Sequence, residues 1–317
     1  MADSRKLRST DTIQAVVSGC LDRYVSPGQS VALGLSGGVD SVVLLHALSE
    51  LKTNVSAVHV HHGLNPAADD WAAFCEELCV RWKVPFRIER VDVERNSDDG
   101  LEAAARRARH GALDNAAGDW IMLAHHEGDR AETMLFNILR GAGIRGAGAL
   151  REINGRLLRP LVSVSRSRIQ EYAHDHALPW VDDVSNADIR FTRNYLRHRV
   201  IPELESRFPA ASMMMARAAG HFAEAADMLD ELARVDLGGG ECRFPVHIDM
   251  LVALSEPRAR NALRFLLSQT GVGIPSEDRL IEAVRQCTSA APDRHPAIVF
   301  GGYTLSRRGG YIYLAPK

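Results

Sequence analysis

The sequence predicts an α/β protein: a doubly wound, mostly parallel sheet, then a helical linker, then a small α+β domain. Three observations carry this. Apolar runs of strand length alternate with helical stretches between residues 31 and 140, and such alternation makes βαβ units whose right-handed crossovers cover a parallel sheet on both faces. A glycine-rich stretch (Gly141, Gly143, Gly146, Gly148) then breaks the alternation. Helical patterns dominate from Ala210, and short β runs close the chain.

Asp11 stands before an apolar-periodic stretch (Ile13, Val16, Val17, Cys20, Leu21) and reads as the cap of a first helix. Residues 31–35 read as a buried strand and 42–51 as the helix after it. Further strands are expected at 55–60, 86–91 and 120–124, and further helices at 69–82, 101–117 and 129–140. A short strand near Leu157-Leu158 precedes a helix opened by Ser165 or Ser167, and Pro202 and Pro209 bracket a break. The alanine- and methionine-rich stretch 210–233 is helical until Gly238-Gly239-Gly240 ends it like a hinge. Helices at about 256–270 and 276–288 and strands at 297–300, 303–306 and 311–314 complete the reading. The expected division is a first domain over 1–209, a linker over 210–240 and a C-terminal domain over 241–317.

No stretch is apolar enough for long enough to cross a bilayer, and the charged opening 1–8 has no apolar segment behind it, so a cytoplasmic location without a membrane partner is expected. Five cysteines (Cys20, Cys75, Cys79, Cys242, Cys287) argue for reduced thiols, with Cys75 and Cys79 as small buried side chains rather than metal ligands. The net charge of −2 is unevenly spread: 16 basic and 20 acidic side chains in 1–150, 10 and 8 in 151–210, and 12 of each in 211–317. A global polyanion-binding surface is excluded, while a local basic surface around Arg151, Arg156, Arg159, Arg166 and Arg168 is expected.

Ser36-Gly37-Gly38-Val39-Asp40-Ser41 follows the first strand and opens the next helix. Such a loop exposes consecutive backbone N–H groups, its glycines let an anion approach, and the helix adds the positive end of its dipole. There is no Gly-Lys-Ser/Thr, as a P-loop needs, and Gly34, Gly37 and Gly38 do not give Gly-x-Gly-x-x-Gly spacing. The hexapeptide resembles the SGGxDS loop of the ATP pyrophosphatase family, which cleaves ATP to AMP and pyrophosphate. That resemblance implies an adenine nucleotide alpha hydrolase-like fold. It also implies that Ser36, Gly37, Gly38, Val39 and Ser41 hold phosphates and that Asp40 faces Mg²⁺ or an incoming cation.

Further motifs follow in order: Ala57-Val58-His59-Val60-His61-His62-Gly63-Leu64, then Leu101-Glu102-Ala103-Ala104-Ala105-Arg106-Arg107-Ala108-Arg109, then Ala124-His125-His126 with Asp129 and Glu132-Thr133. After them come Arg140-Gly141-Ala142-Gly143-Ile144-Arg145-Gly146, Arg159-Pro160-Leu161, and Asp182-Asp183 with Asn186, Arg193-Asn194 and Arg197. The set resembles the tRNA(Ile)-lysidine synthetase family. The resemblance implies adenylation of the wobble cytidine of tRNA(Ile) with a CAU anticodon, then displacement of AMP by the ε-amine of free L-lysine. By the same resemblance His125, Asp129 and Glu132 with Arg106 and Arg193 hold lysine and the activated base, and His59 and His61 belong to the nucleotide site. Asp129 and Glu132, three apart on a helix, suit an ammonium; a carboxylate or His125 suits its deprotonation; arginines suit developing negative charge.

Read without the family, these residues keep other meanings. Asp129 and Glu132 have the spacing of a helix cap and its N3 partner. Glu102 and Arg106 form an i,i+4 surface pair, and His59 and His61 read as core histidines on one strand face. The chain also departs from the family pattern His-His-x-Asp-Asp-Gln-x-Glu-Thr, with Gly128 at the first aspartate and Arg130 at the glutamine, a positive charge expected beside a cation pocket. Longer members carry a further domain that grips the acceptor stem, so tRNA contacts are expected from 151–210, the later helices and the terminal strands, with Tyr303, Arg307 and Arg308 as candidates. Another tRNA-modifying enzyme of the same loop class, and a non-catalytic nucleotide or RNA binder, stand as alternative functions. The oligomeric state is open, a homodimer among the candidates.

Overall fold

A computed structural model of the chain describes residues 12–94, 101–183, 187–289 and 296–317. Asp11, Asn186 and the side chain of Glu102 lie outside the described residues. Two compact units divide after Ala223.

In the first unit Thr12 opens α1 (Ile13–Tyr24), its hydroxyl accepting the Ala15 N–H at 3.1 Å. The βα alternation follows: β1 (Val31–Gly34), α2 (Val39–Glu50), β2 (Val55–His61), α3 (Ala68–Trp82), β3 (Phe86–Arg90), α4 (Leu101–Asp114), β4 (Trp120–Met122) and α5 (Glu127–Leu139). Then come α6 (Ile144–Ala147), the hairpin β5 (Ile153–Asn154) and β6 (Leu157–Leu158), α7 (Arg166–Asp175) opened by Ser165, and α8 (Thr192–Tyr195). A π-helical turn over Leu196–Val200 leads into α9 (Ile201–Arg207), and α10 (Ala211–Asp236) runs through the division between the units.

The sheet order is β3-β2-β1-β4-β6-β5, parallel throughout except for the edge strand β5, so the expected doubly wound α/β fold is present. β1 has β2 on one side and β4 on the other. The chain therefore changes winding direction at β1, where a crevice opens beyond the strands' carboxyl ends. Leu33, Leu44, Leu45, Leu48, Leu78, Leu158, Leu161 and Ile169 are fully buried in the core beneath it, each stabilising by about 1.5–3 kcal/mol.

Two expectations change. Pro202 does not break the chain: it occupies the first turn of α9, where a missing N–H leaves no helical bond unmade, and the break falls only at the turn around Pro209. The basic surface over 151–210 is also smaller than its arginine count suggests. Arg159 is buried, Arg151 donates to Ala223 O at 3.1 Å, and Arg156 donates to the carbonyls of Asp114, at the end of α4, and of Ala116 and Gly118 just beyond it. Among the described residues no helix is long and apolar enough to cross a membrane.

The second unit contains β7 (Val246–His247), α11 (Asp249–Val252), α12 (Glu256–Gln269), α13 (Glu277–Ser289), β8 (Ala297–Phe300), β9 (Tyr303–Arg308) and β10 (Tyr311–Pro316). Its antiparallel sheet runs β7-β10-β9-β8. Leu263, Leu266, Leu280, Phe300, Leu305 and Ile312 form a separate core between helices and sheet. The two-residue strands β5 and β7 are too short for an alternation signal, which is why the sequence did not reveal them.

Candidate active site

The first strand delivers Ser36 to Ser41 to the crevice, and α2 begins at Val39 with Gly38 as its cap. No side chain caps that end, so its N–H groups remain available to an anion. The loop is braced from within: Ser41 Oγ accepts the Ser36 N–H at 3.2 Å and donates to Gly38 O at 2.9 Å, and Ser36 Oγ accepts the Gly38 N–H at 3.3 Å. Gly37 has φ +87° and its carbonyl accepts the Val181 N–H at 3.0 Å; a Cβ there would stand 2.9 Å from Val181 Cγ2. Only glycine fits both the angle and the space.

A cleft of about 320 Å³ opens over this loop. Ser36, Gly38, Asp40, Ser41, His59, His61, His125 and Asp129 all line it, with Arg109, Val181 and Asp183. Val39 is buried at the start of α2. Glu132, Arg106 and Arg193 are not among the described lining residues.

The far wall is the start of α5, and its cap differs from the spacing-based reading. His126, not Asp129, is the N-cap: its Nδ1 accepts the Gly128 N–H at 2.9 Å, while Asp129 at N3 reaches back to accept the His126 N–H at 2.9 Å. This reciprocal pair is a capping box with histidine in the usual Ser/Thr place. The other ring nitrogen, His126 Nε2, lies 3.7 Å from Asp129 Oδ2 and 4.0 Å from Asp40 Oδ2. One imidazole thus links the phosphate loop to the carboxylates of α5.

Gly128 follows from that ring. A Cβ at 128 would sit 2.8 Å from His126 Cε1, so the departure from the family pattern is sterically tied to the cap. Arg130 likewise does not stand beside the pocket as expected; its guanidinium lies against Gly220 of α10, 3.3 Å from where a Cβ would be, and does not line the cleft.

Glu132 joins the cluster through Arg197. Arg197 Nε and Nη2 donate to the two Glu132 oxygens at 2.6 and 2.8 Å, and Nη2 also reaches Asp129 Oδ1 at 3.0 Å. Arg197 is carried on the π-helical turn. Arg193, one turn earlier, instead stacks over the Phe136 ring at 5.4 Å, with Arg140 over the same ring at 5.1 Å. Burial raises the Glu132 carboxyl, against the two bonds from Arg197 that favour its charged form. Burial would raise Asp129 too, but His126, His125, the His126 N–H and Arg197 together hold it below the usual carboxylate range. Burial raises Asp40, with His126 opposing and Asp129 adding, and its buried Oδ1 has no hydrogen-bond partner.

His125 is pushed down to about 3, chiefly by burial and further by Arg159, Arg106 and Arg109, against Asp129. Arg159 Nε donates to its Nδ1 at 3.1 Å, which places the imidazole proton on Nε2. His125 is therefore neutral, with its N–H on Nε2. His59 Nδ1 donates to Leu35 O at 2.9 Å, burial lowers its basicity, and Cys75 Sγ packs 3.6 Å away. Sequence reasoning missed His126 and Arg159 as site residues; histidine is a rare cap, and a buried arginine looks like any other arginine in a sequence.

The PP-loop domain family matches residues 9–204, and the TilS substrate binding domain family matches residues 247–313. The chain is similar to proteins named tRNA(Ile)-lysidine synthase: 38% identical to that of Nitrosomonas europaea over 100% of this chain and 71% of the relative. It is 46% identical to that of Aromatoleum aromaticum over 83% of this chain but only 63% of the relative, so it spans less than two thirds of the latter's length. Among solved structures, the U34-tRNA thiolase NcsA from Methanococcus maripaludis matches with TM-score 0.55 and 16% identity, covering 67% of this chain and 78% of that one, a likeness of fold.

Proposed function

The chain belongs to the tRNA(Ile)-lysidine synthase family, and from that premise we propose that it ligates free L-lysine to the wobble cytidine of tRNA(Ile) bearing a CAU anticodon. The C2 oxygen of cytidine attacks the α-phosphorus of ATP and pyrophosphate leaves. The ε-amine of lysine then attacks C2, AMP departs with that oxygen, and the amine gives up a proton. The observation that carries this reading is the meeting, through His126, of a phosphate-binding loop with a buried carboxylate cluster.

The uncapped N–H groups at the start of α2 suit the phosphates of ATP. Asp129, which lines the cleft, suits the ammonium, and Glu132 stands behind it holding Arg197. His125, neutral with N–H at Nε2, suits a developing oxyanion without adding charge. The residues fit a magnesium ion: Asp40 Oδ1 is a buried carboxylate oxygen without a partner, and a hard cation takes one or two such oxygens beside phosphate oxygens and water. When bound it would neutralise charge on the departing pyrophosphate. The division of labour we assign is catalysis in the first unit and tRNA contact in the second.

The test is incubation of purified chain with ATP, Mg²⁺, labelled lysine and the cognate transcript, followed by mass spectrometry of the tRNA. Release of AMP with a lysine-sized mass gain on one cytidine is expected; neither product would overturn the assignment.

A further inference from the structure

The sheet of the second unit has two faces of opposite character. Val246, Phe300, Leu305 and Ile312 point into the core. On the other face the strand registers bring Tyr311 opposite both Arg308 and His247, and Tyr313 opposite Ser306. Tyr311 is 42% exposed and Tyr313 39%. Their rings lie 6.5 Å apart, and the His247 ring meets Tyr311 edge-on at 4.9 Å. Three rings thus form a row on an open sheet face, where large apolar rings ordinarily find cover.

We propose that this row is a stacking platform for unpaired bases of RNA, with Arg308 contacting the adjoining phosphate. The proposal rests on the reading that tRNA is the substrate. Charge favours a polyanion: residues 297–317 contain not one Asp or Glu, and Arg308 shares the open face with Tyr311. These three strands carry no acid of their own, and the one carboxylate against the row is that of Asp249, 3.4 Å from His247 Nδ1 at the β7 edge; the neighbouring aromatic rings suit nucleobases, whose π faces stack without regard to sequence. The structure also redistributes the residues expected from sequence. Tyr303 and Arg307 share the inward parity of Leu305, and Arg307 donates to Cys287 O at 2.9 Å, which ends α13, so it supports the sheet from behind.

Binding of the full chain to the CAU-anticodon tRNA transcript, measured by fluorescence anisotropy across a salt series, tests this. Tyr311→Ser and Tyr313→Ser should each weaken binding about tenfold with an unchanged salt slope, because stacking is not a counterion effect. Tyr311→Phe and Tyr313→Phe should bind like the parent, since the ring is kept. Arg308→Gln should reduce the salt slope by about one. Serine variants that bind like the parent, phenylalanine variants that fail with them, or a parent that binds no tRNA would overturn the platform. The lysine assay separates the two claims: lysine incorporation with indifferent serine variants sinks the platform alone, and ring-dependent tRNA binding without lysine incorporation sinks the ligase reading alone.

Discussion

Arg197 makes three charged hydrogen bonds to two acidic side chains, and removing it would leave Glu132, only 6% exposed, without a counter-ion. Arg197→Ala should destabilise the first unit by about 3 kcal/mol in denaturant unfolding. Arg197→Lys should recover little of that, since an ammonium cannot span two oxygens as a planar fork does. Gly128→Asp, the reversion toward the family pattern, should lower rather than raise stability, by about 1 kcal/mol, because its Cβ displaces the capping ring of His126. His125 sets an acid limit. Its folded-state value of about 3 lies below that of an unfolded histidine, so the unfolded chain binds the proton first and stability is lost as pH falls below about 6.5. At pH 5 this amounts to about 2 kcal/mol, and His125→Gln should show a flatter midpoint-against-pH curve over that range. Residue identity alone could not have said which acid caps and which binds. Asp129 and Glu132 have cap spacing in the sequence, yet the helix starts three residues earlier than that spacing implied, so His126 is the cap, Asp129 completes the capping box from N3 and Glu132 takes no part in it.

The elements themselves were legible because burial imposes a period. β1 to β4 and α1 to α5 lie where alternation placed them, and the helix opened by Ser165 and the closing strands do too. What escaped were features without a period: the π-helical turn at 196–200, the two-residue strands β5 and β7, and contacts made by one side chain across three helices. Tyr172 on α7 is such a contact. Its hydroxyl receives Gln14 Nε2 of α1 at 2.8 Å and donates to His46 Nδ1 of α2 at 2.8 Å. Tyr172→Phe would strand two polar groups, one of them on the buried His46 ring, and should lower stability by about 1–3 kcal/mol in denaturant titration. Since α2 carries the phosphate loop at its other end, the same variant should leave ATP affinity nearly unchanged if the helix keeps its place.

On the scale of the whole chain, the alternation of strands and helices announced a crevice at the sheet's turning point, and the loop at residues 36–41 announced phosphates. Neither identifies an acceptor; that came from the ordered motifs between residues 57 and 197. Charge counts misled in the segment 151–210, because Arg151 and Arg156 are spent on backbone carbonyls and Arg159 on His125 and Arg151 O. Ligand linkage offers a global check: ATP with Mg²⁺ at a hundred times its dissociation constant should stabilise the unit that binds it by about 2.7 kcal/mol. Thermal scans should show the shift in the parent and lose it in Gly37→Ala, whose methyl group has no room beside Val181. The guanidinium on Glu132 and Asp129 has a meaning beyond structure if those acids also receive an amine. Arg197 is then a rival tethered to its own receptor, present at a local concentration no free cation in solution matches. A weakly held amine loses that contest, and only one gripped elsewhere along its length can win it.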